Sequence, residues 1–377
     1  MTRSIIALSL CMLFAAQASA QTQTIKIGHV APMTGNQAHL GKDNEAGAKL
    51  AIADLNKAGI KIGGKPVKFE LVAEDDAADP KQGTAAAQKL IDAKVVGVVG
   101  HLNSGTTIPA SALYNKAGIP QVSPSATNPK YTQQGFNTAF RVVANDAKLG
   151  GTLGRYAVSE LKGKTVAIID DRSAYGQGVA DEFEKSAKAA GAQIAAREYT
   201  TDKSTDFMAI LTNVKGKKPD VVFFGGMDAV AGPMLRQMKQ LGITAKFMGG
   251  DGICTSELPK LAGDALGESM VYCAEAGGVI GKYAEKDKAF RARFQKESGE
   301  PVKLYAPYVY DATMVLAEAM KKAQSTDPKI YLPELAKIKY DGVTGPISFD
   351  KNGDVNGGTL TLYTFKAGKR ELVKVIQ

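Results

Sequence analysis

Short apolar runs alternate with stretches of helical spacing from residue 25 almost to the end of the chain. Ile25–His29 reads as a strand, after which Ala46, Leu50 and Ala53 fall on one face of a helix over 43–56. Val67–Val72 alternates apolar and polar positions, as a half-buried strand does. Asp79-Pro80 supplies an N-cap and a first-turn proline for a helix running to Ile91. Val95–Val99 is a continuous apolar run, the pattern of a strand buried on both faces. A helix over 106–115 then leads to the strand Ile119–Val122. After Arg141 a second series begins, with helices over 148–160, 178–190, 207–214 and 233–241. Strands Thr165–Ile169, Ala192–Tyr199, Val221–Phe224 and Lys246–Met248 interleave with them, and Gly232-Pro233 marks the expected start of the last helix.

Two runs of β–α repeats predict an α/β protein with two parallel sheets, each covered by helices. The tail departs from this pattern. Helices over 287–296 and 310–323 precede two strand-like stretches, Ile347–Phe349 and Thr359–Phe365, one for each lobe. The chain is therefore expected to cross between lobes more than once, with residues 21–143 and 274–356 in a first lobe and 144–273 and 357–377 in a second.

Composition sharpens the picture only at two points. Apolar residues make up 44% and charged residues 23%, an ordinary globular balance, and 377 residues leave room for two or three domains at about 150 each. The 47 basic and 38 acidic residues give a net charge of +9. The lysines are scattered among acids, so the excess reads as a solvated basic surface with no nucleic-acid partner.

The first twenty residues carry more information. Arg3, the apolar run 5–16 and Ala18-Ser19-Ala20 form a positive start, a short hydrophobic stretch and a small-residue cleavage site, the features of a secretory signal. The run is too short to span a bilayer, and no later segment is apolar enough to do so. Cleavage after Ala20 removes Arg3, leaves a charge of +8, and delivers a monomeric protein to the periplasm without inserting it in the membrane. Cys254 and Cys273 then face an oxidising compartment, where they either pair or remain buried free thiols. His29, His39 and His101 show no metal-ligand spacing, and neither a metal nor a cofactor is expected.

Catalytic signatures fail on inspection. Gly35 to Lys42 looks like a phosphate loop, but five residues separate Gly35 from Gly41 and Asp43 stands where a magnesium-binding hydroxyl belongs. Ser104 lies in Asn103-Ser104-Gly105 and not in a nucleophile elbow, and Glu74-Asp75-Asp76 is the composition of a solvated loop. No reaction is indicated, and the chain is expected not to be an enzyme.

Binding features are better placed. In open α/β sheets, ligands gather beyond the carboxyl ends of the strands. Three small-residue polar loops fall there: 101–107, 123–127 and 249–252. Hydroxyls and backbone N–H groups ahead of a helix hold a carboxylate without a basic side chain, and a lone acid such as Asp251 suits an ammonium. Capping and turn formation account for the same residues taken singly.

The wording of these segments resembles the type I periplasmic solute-binding proteins of ABC transporters, in their leucine/isoleucine/valine-binding branch. The matching stretches are 28–35 (GHVAPMTG), 75–82 (DDAADPKQ), 100–102 (GHL), 124–127 (PSAT), 175–178 (YGQG) and 310–312 (YDA), in the family's order over essentially the whole mature chain. The resemblance implies two doubly wound lobes joined by a multi-strand hinge. It implies that Ser104 and Thr127 hold a ligand's α-carboxylate, that the Ser125 carbonyl and Asp251 receive its ammonium, and that Tyr175 and Tyr305 wall the pocket. Leu40 and Met227 stand where the branched-chain binders commonly carry tyrosines, and Ala78 and Asn103 replace that family's first-lobe disulfide. By this resemblance the protein closes about a hinge on a small amino acid, branched-chain or otherwise apolar, and presents it to a membrane permease. A sensor of the same fold, or a binder of an aromatic or organic acid or an amide, is the alternative.

Overall fold

The computed structural model describes residues 22–279 and 281–376; the expected leader lies outside them. Two sheets organise the chain. Across the first, the strands run in the order Lys61–Ile62, Lys65–Asp75, Gln23–Ala31, Gly97–Gly100, Gln121–Ser123, Ala139–Arg141, all parallel beyond the opening hairpin. Across the second, the order is Lys369–Ile376, Leu360–Lys366, Val271–Glu275, Lys246–Gly249, Val221–Gly225, Thr165–Asp170, Gln193–Tyr199. Five of these are parallel, and the two C-terminal strands close one edge antiparallel.

Helices cover the sheets because their apolar stripes must find a partner. Ala38–Lys57 packs on Ala306–Ala323 over the first sheet, and Asp146–Ser159 packs on Ala174–Ala189 over the second. In the second lobe Phe183 stacks on Phe223 with ring centroids 3.9 Å apart, both fully buried; each such ring contributes about 1.5–3 kcal/mol by leaving water. Among the described residues, no helix is long and apolar enough to cross a membrane. Cys254 and Cys273 form a disulfide inside the second lobe's core, with Cα atoms 5.3 Å apart.

Local signals decide the element ends. Asp79 caps the helix Pro80–Asp92 by accepting from the N–H groups of Lys81 and Gln82, as the Asp-Pro pair predicts. Ser173 accepts from Gly176 N and starts its helix at Ala174, four residues ahead of the expectation, which places Tyr175 in the first turn. The helix Asp228–Gln240 likewise begins ahead of Pro233, which lies inside it. A proline there forfeits one backbone N–H without ending the helix. The two parallel sheets stand as expected, and each also carries an antiparallel edge. Ile347–Phe349 does not join the first sheet. Pro346–Ile347 pairs with Tyr340–Asp341 in a separate two-stranded ribbon, and Phe349 bridges Val355.

Candidate functional site

The cleft between the sheets is built from the loops that follow their parallel strands. In the first lobe, Gly97–Gly100 leads to Ser104 at the start of the helix Ser104–Ala117, and Gln121–Ser123 leads to Ser125 and Thr127. In the second, Thr165–Asp170, Val221–Gly225 and Lys246–Gly249 lead to Tyr175, Met227 and Asp251. Tyr305 comes from the segment entering Ala306–Ala323, held to the first lobe because the Asp43 carboxylate accepts from the N–H groups of residues 303–306.

Asp251 is the centre of this arrangement. It is 1% exposed, and its two carboxylate oxygens accept from Tyr175 Oη (2.7 Å) and Tyr305 Oη (2.8 Å), one tyrosine from each lobe. Burial pushes its carboxyl up to about 6, against the pull of the two hydroxyls. Burial also raises both tyrosines, with the Asp251 charge adding to it, so they stay protonated donors. The flanking glycines are steric requirements: a Cβ at Gly250 would lie 2.5 Å from Tyr175 Oη, and one at Gly252 would lie 2.8 Å from the Tyr175 ring. Gly252 N donates to the same hydroxyl at 2.9 Å.

Across the cleft, the first-lobe loops are tied together. Asn128 N donates to Ser104 Oγ (3.2 Å), and Ser125 Oγ donates to Leu102 O (2.9 Å), which turns that hydroxyl toward its own lobe. Arg141, fully buried beneath, donates to Ala126 O (2.6 Å) and Asn128 O (3.0 Å) and fixes the 124–128 loop from below. Thr127 is fully buried and its hydroxyl has no hydrogen-bond partner among the described residues.

The structure adds a residue that the sequence did not single out. Asp146, fully buried at the first turn of Asp146–Ser159, has neither carboxylate oxygen partnered among the described residues. Thr127 lies beside it without reaching bonding geometry. Burial raises its carboxyl, and the nearby charge of Asp251 raises it further. The expected helix begins at 148, so Asp146 falls in the loop ahead of it; the helix in fact begins at Asp146, capped by Asn145.

Ser104, Ser125, Tyr175, Met227 and Tyr305, with Leu102 and Asn103, converge on one small pocket of about 10 Å³. Leu40 is absent from its wall; it is fully buried in the apolar cluster that contains Tyr175, Met227 and Tyr305. Tyr175 and Tyr305, expected as walls, also hold Asp251 in place. A pocket of this volume holds about one water, so the two lobes stand closed on each other. Besides Tyr305–Asp251, Asn128 Nδ2 donates to Ala174 O (2.6 Å) and His39 Nε2 lies 2.9 Å from Asp228 Oδ2.

Two α/β lobes with hydroxyl-bearing loops on one side of a closed cleft and a buried acid on the other define a ligand-clasping protein. The chain belongs to the periplasmic binding protein family, whose model matches residues 24–370. It is 35% identical over 361 residues to the leucine-, isoleucine-, valine-, threonine-, and alanine-binding protein of Pseudomonas aeruginosa, covering 94% of this chain and 95% of that one. It is 37% identical over 349 residues to the Leu/Ile/Val-binding protein homolog 1 of Brucella abortus, covering 91% of each. Its fold superposes with TM-score 0.83 on the branched-chain amino acid transporter substrate binding protein of Streptococcus pneumoniae in complex with isoleucine, at 30% identity over 94% of this chain and 99% of that one.

Proposed function

We propose that the chain is the exported substrate-binding component of an ABC importer. It captures a small amino acid, branched-chain or otherwise apolar, in the interlobe cleft and presents it to a membrane permease as a monomer. The observation that carries this reading is the buried Asp251 carboxylate, held by a tyrosine from each lobe, both of which line the pocket with Ser104 and Ser125.

In this reading the ligand's carboxylate lies against Ser104, Thr127 and the positive end of the helix Ser104–Ala117. Its ammonium lies against Asp251 and the Ser125 carbonyl. A zwitterion satisfies both ends of an otherwise costly buried site, and an ion missing either end leaves a charge unpaired. A ligand cannot enter a pocket of about 10 Å³ without separation of the lobes. Opening breaks the Tyr305–Asp251 and Asn128–Ala174 bonds, and the bound zwitterion favours reclosure through its higher affinity for the closed form. The lobe division 21–143 with 274–356 and 144–273 with 357–377 is part of the proposal, as is signal cleavage after Ala20.

The test is a thermal-shift panel of the mature protein against amino acids, the matching deaminated acids and the matching amines. Leucine, isoleucine or valine is expected to raise the melting temperature while the one-ended analogues do not. Equal shifts with deaminated acids would remove the ammonium site from the account.

A further inference from the structure

The segment that enters the helix Ala306–Ala323 is capped from outside. Tyr305 occupies the N-cap position of that helix, and its side chain makes no capping hydrogen bond. A serine, threonine, asparagine or aspartate ordinarily fills such a position and satisfies the first N–H groups of the helix. Here the tyrosine hydroxyl is committed to Asp251 in the second lobe, and the cap comes from a different helix, 262 positions away in the sequence. Asp43 Oδ1 accepts from Lys303 N (2.8 Å), and its Oδ2 accepts from the N–H groups of Leu304 (3.2 Å), Tyr305 (2.9 Å) and Ala306 (2.9 Å). Asp43 is 4% exposed, and its carboxylate lies at the positive end of the helix, where an anion is favoured. One turn along from Asp43, Gly47 lets the two backbones meet: a Cβ there would lie 2.5 Å from Ala306 O.

What this cap holds meets the second lobe at three points. Lys303 Nζ donates to Glu257 Oε1 (2.8 Å), Ser256 N donates to Lys303 O (3.3 Å), and Tyr305 Oη donates to Asp251 Oδ2 (2.8 Å). All three bonds break when the lobes part. The bonds to Asp43 join residues of the first lobe and survive that opening. We propose that Asp43 is a positioning residue for ligand capture: it keeps residues 303–305 set for closure and so fixes how long the closed, liganded form lasts. This rests on the reading of the cleft as an amino-acid site. Contacts made only in the closed form oppose reopening, so their loss shows in the dissociation rate and not in the association rate.

Stopped-flow mixing of the mature protein with L-leucine measures both rates by tyrosine fluorescence, since the chain has no tryptophan. Asp43→Asn keeps the size of the side chain and gives up the charge and one acceptor oxygen. It is expected to raise the dissociation rate about tenfold, within the coupling range of residues in one hydrogen-bond network, with the association rate changed by less than about twofold. Where the amide variant does not fold, Asp43→Ser, which keeps one acceptor without the reach of the carboxylate, takes its place. Lys303→Met removes the bond to Glu257 from the same segment and is expected to raise the dissociation rate about threefold. In Lys303→Met/Tyr305→Phe protein no side chain of the segment bonds across the cleft, and there Asp43→Asn is expected to add less than about twofold. A merely structural role for Asp43 would lower the melting temperature and leave this pattern of rates unmoved. A dissociation rate unchanged in the Asp43 variant or in Lys303→Met overturns the proposal. So does an Asp43 effect that persists undiminished in the double background, or one carried by the association rate; the amino-acid reading then stands. Native protein that binds none of leucine, isoleucine and valine overturns the amino-acid reading, and this proposal with it.

Discussion

Replacing Asp251 with asparagine separates what the carboxylate does for the ligand from what it costs the fold. The side chain is fully buried and its carboxyl is pushed up to about 6. The ordinary value is 3.8, so ionisation in the folded protein is disfavoured by about two pKa units, or at most about 3 kcal/mol near neutral pH. The sign follows from the direction. An acid raised on folding is a penalty present in full above about 6 and relieved as pH falls toward the ordinary carboxylate value. Asp251→Asn keeps an acceptor for one tyrosine and removes the charge, so the ligand-free variant is expected to melt about 1–4 °C higher than the native protein at pH 7.5, given the entropy of unfolding a chain of this size. The advantage fades by pH 4.5. Ligand binding moves the other way. Loss of a buried charge partner costs about 2–5 kcal/mol, a roughly 30-fold to several-thousand-fold weaker Kd. Thermal denaturation at the two pH values, with leucine calorimetry at pH 7.5, measures both arms. An unchanged leucine Kd refutes the ammonium assignment, and a variant less stable than native protein at pH 7.5 refutes the electrostatic argument.

Other expectations follow from the same geometry. Arg141→Met removes the guanidinium from two loop carbonyls and from Asp354, which keeps only the neutral donors Thr132 Oγ1 and Asn145 Nδ2; a loss of about 3 kcal/mol in denaturant stability is expected, with weaker leucine binding as the 124–128 loop loosens. Reduction of Cys254–Cys273, which are 19 residues apart, is expected to lower unfolding stability by about 3 kcal/mol, read as a melting shift on adding a thiol-free reductant. His39 is raised because the hydrogen bond and charge of Asp228 outweigh its desolvation, with Glu257 assisting and Lys303 opposing. The interlobe pair therefore supports closure fully below the ordinary histidine value and loses strength as pH rises through the raised one. His39→Ala is expected to flatten that part of the pH profile of leucine affinity.

The alternation of apolar runs and helical spacing made both sheets legible, because buried parallel strands such as Val221–Gly225 are apolar throughout. What escaped was short or exposed. Ala139–Arg141 has three residues, too few for any period, and Lys369–Ile376 is an edge strand whose Leu372 is 57% exposed. Val271–Glu275 is as long as Val221–Gly225 but carries a single β-branched residue and ends in an acid, so it lacks the strand signature. The loops carrying Ser104, Thr127 and Asp251 were readable because they follow strand ends. Asp146 was not, since the expected helix begins after it, at 148, and its lack of partners among the described residues exists only in three dimensions. The hydroxyls of Tyr175 and Tyr305 were hidden for the same reason: the two residues are 130 positions apart, and only the closed cleft brings both to one carboxylate.

A crystal structure of the mature protein with L-leucine tests the central claim most directly. The account predicts the ligand's carboxylate against Ser104 and Thr127, its ammonium within hydrogen-bond distance of Asp251, and the side chain toward Met227 and Asn103. Leucine bound in the reverse orientation, or outside the cleft, would contradict it.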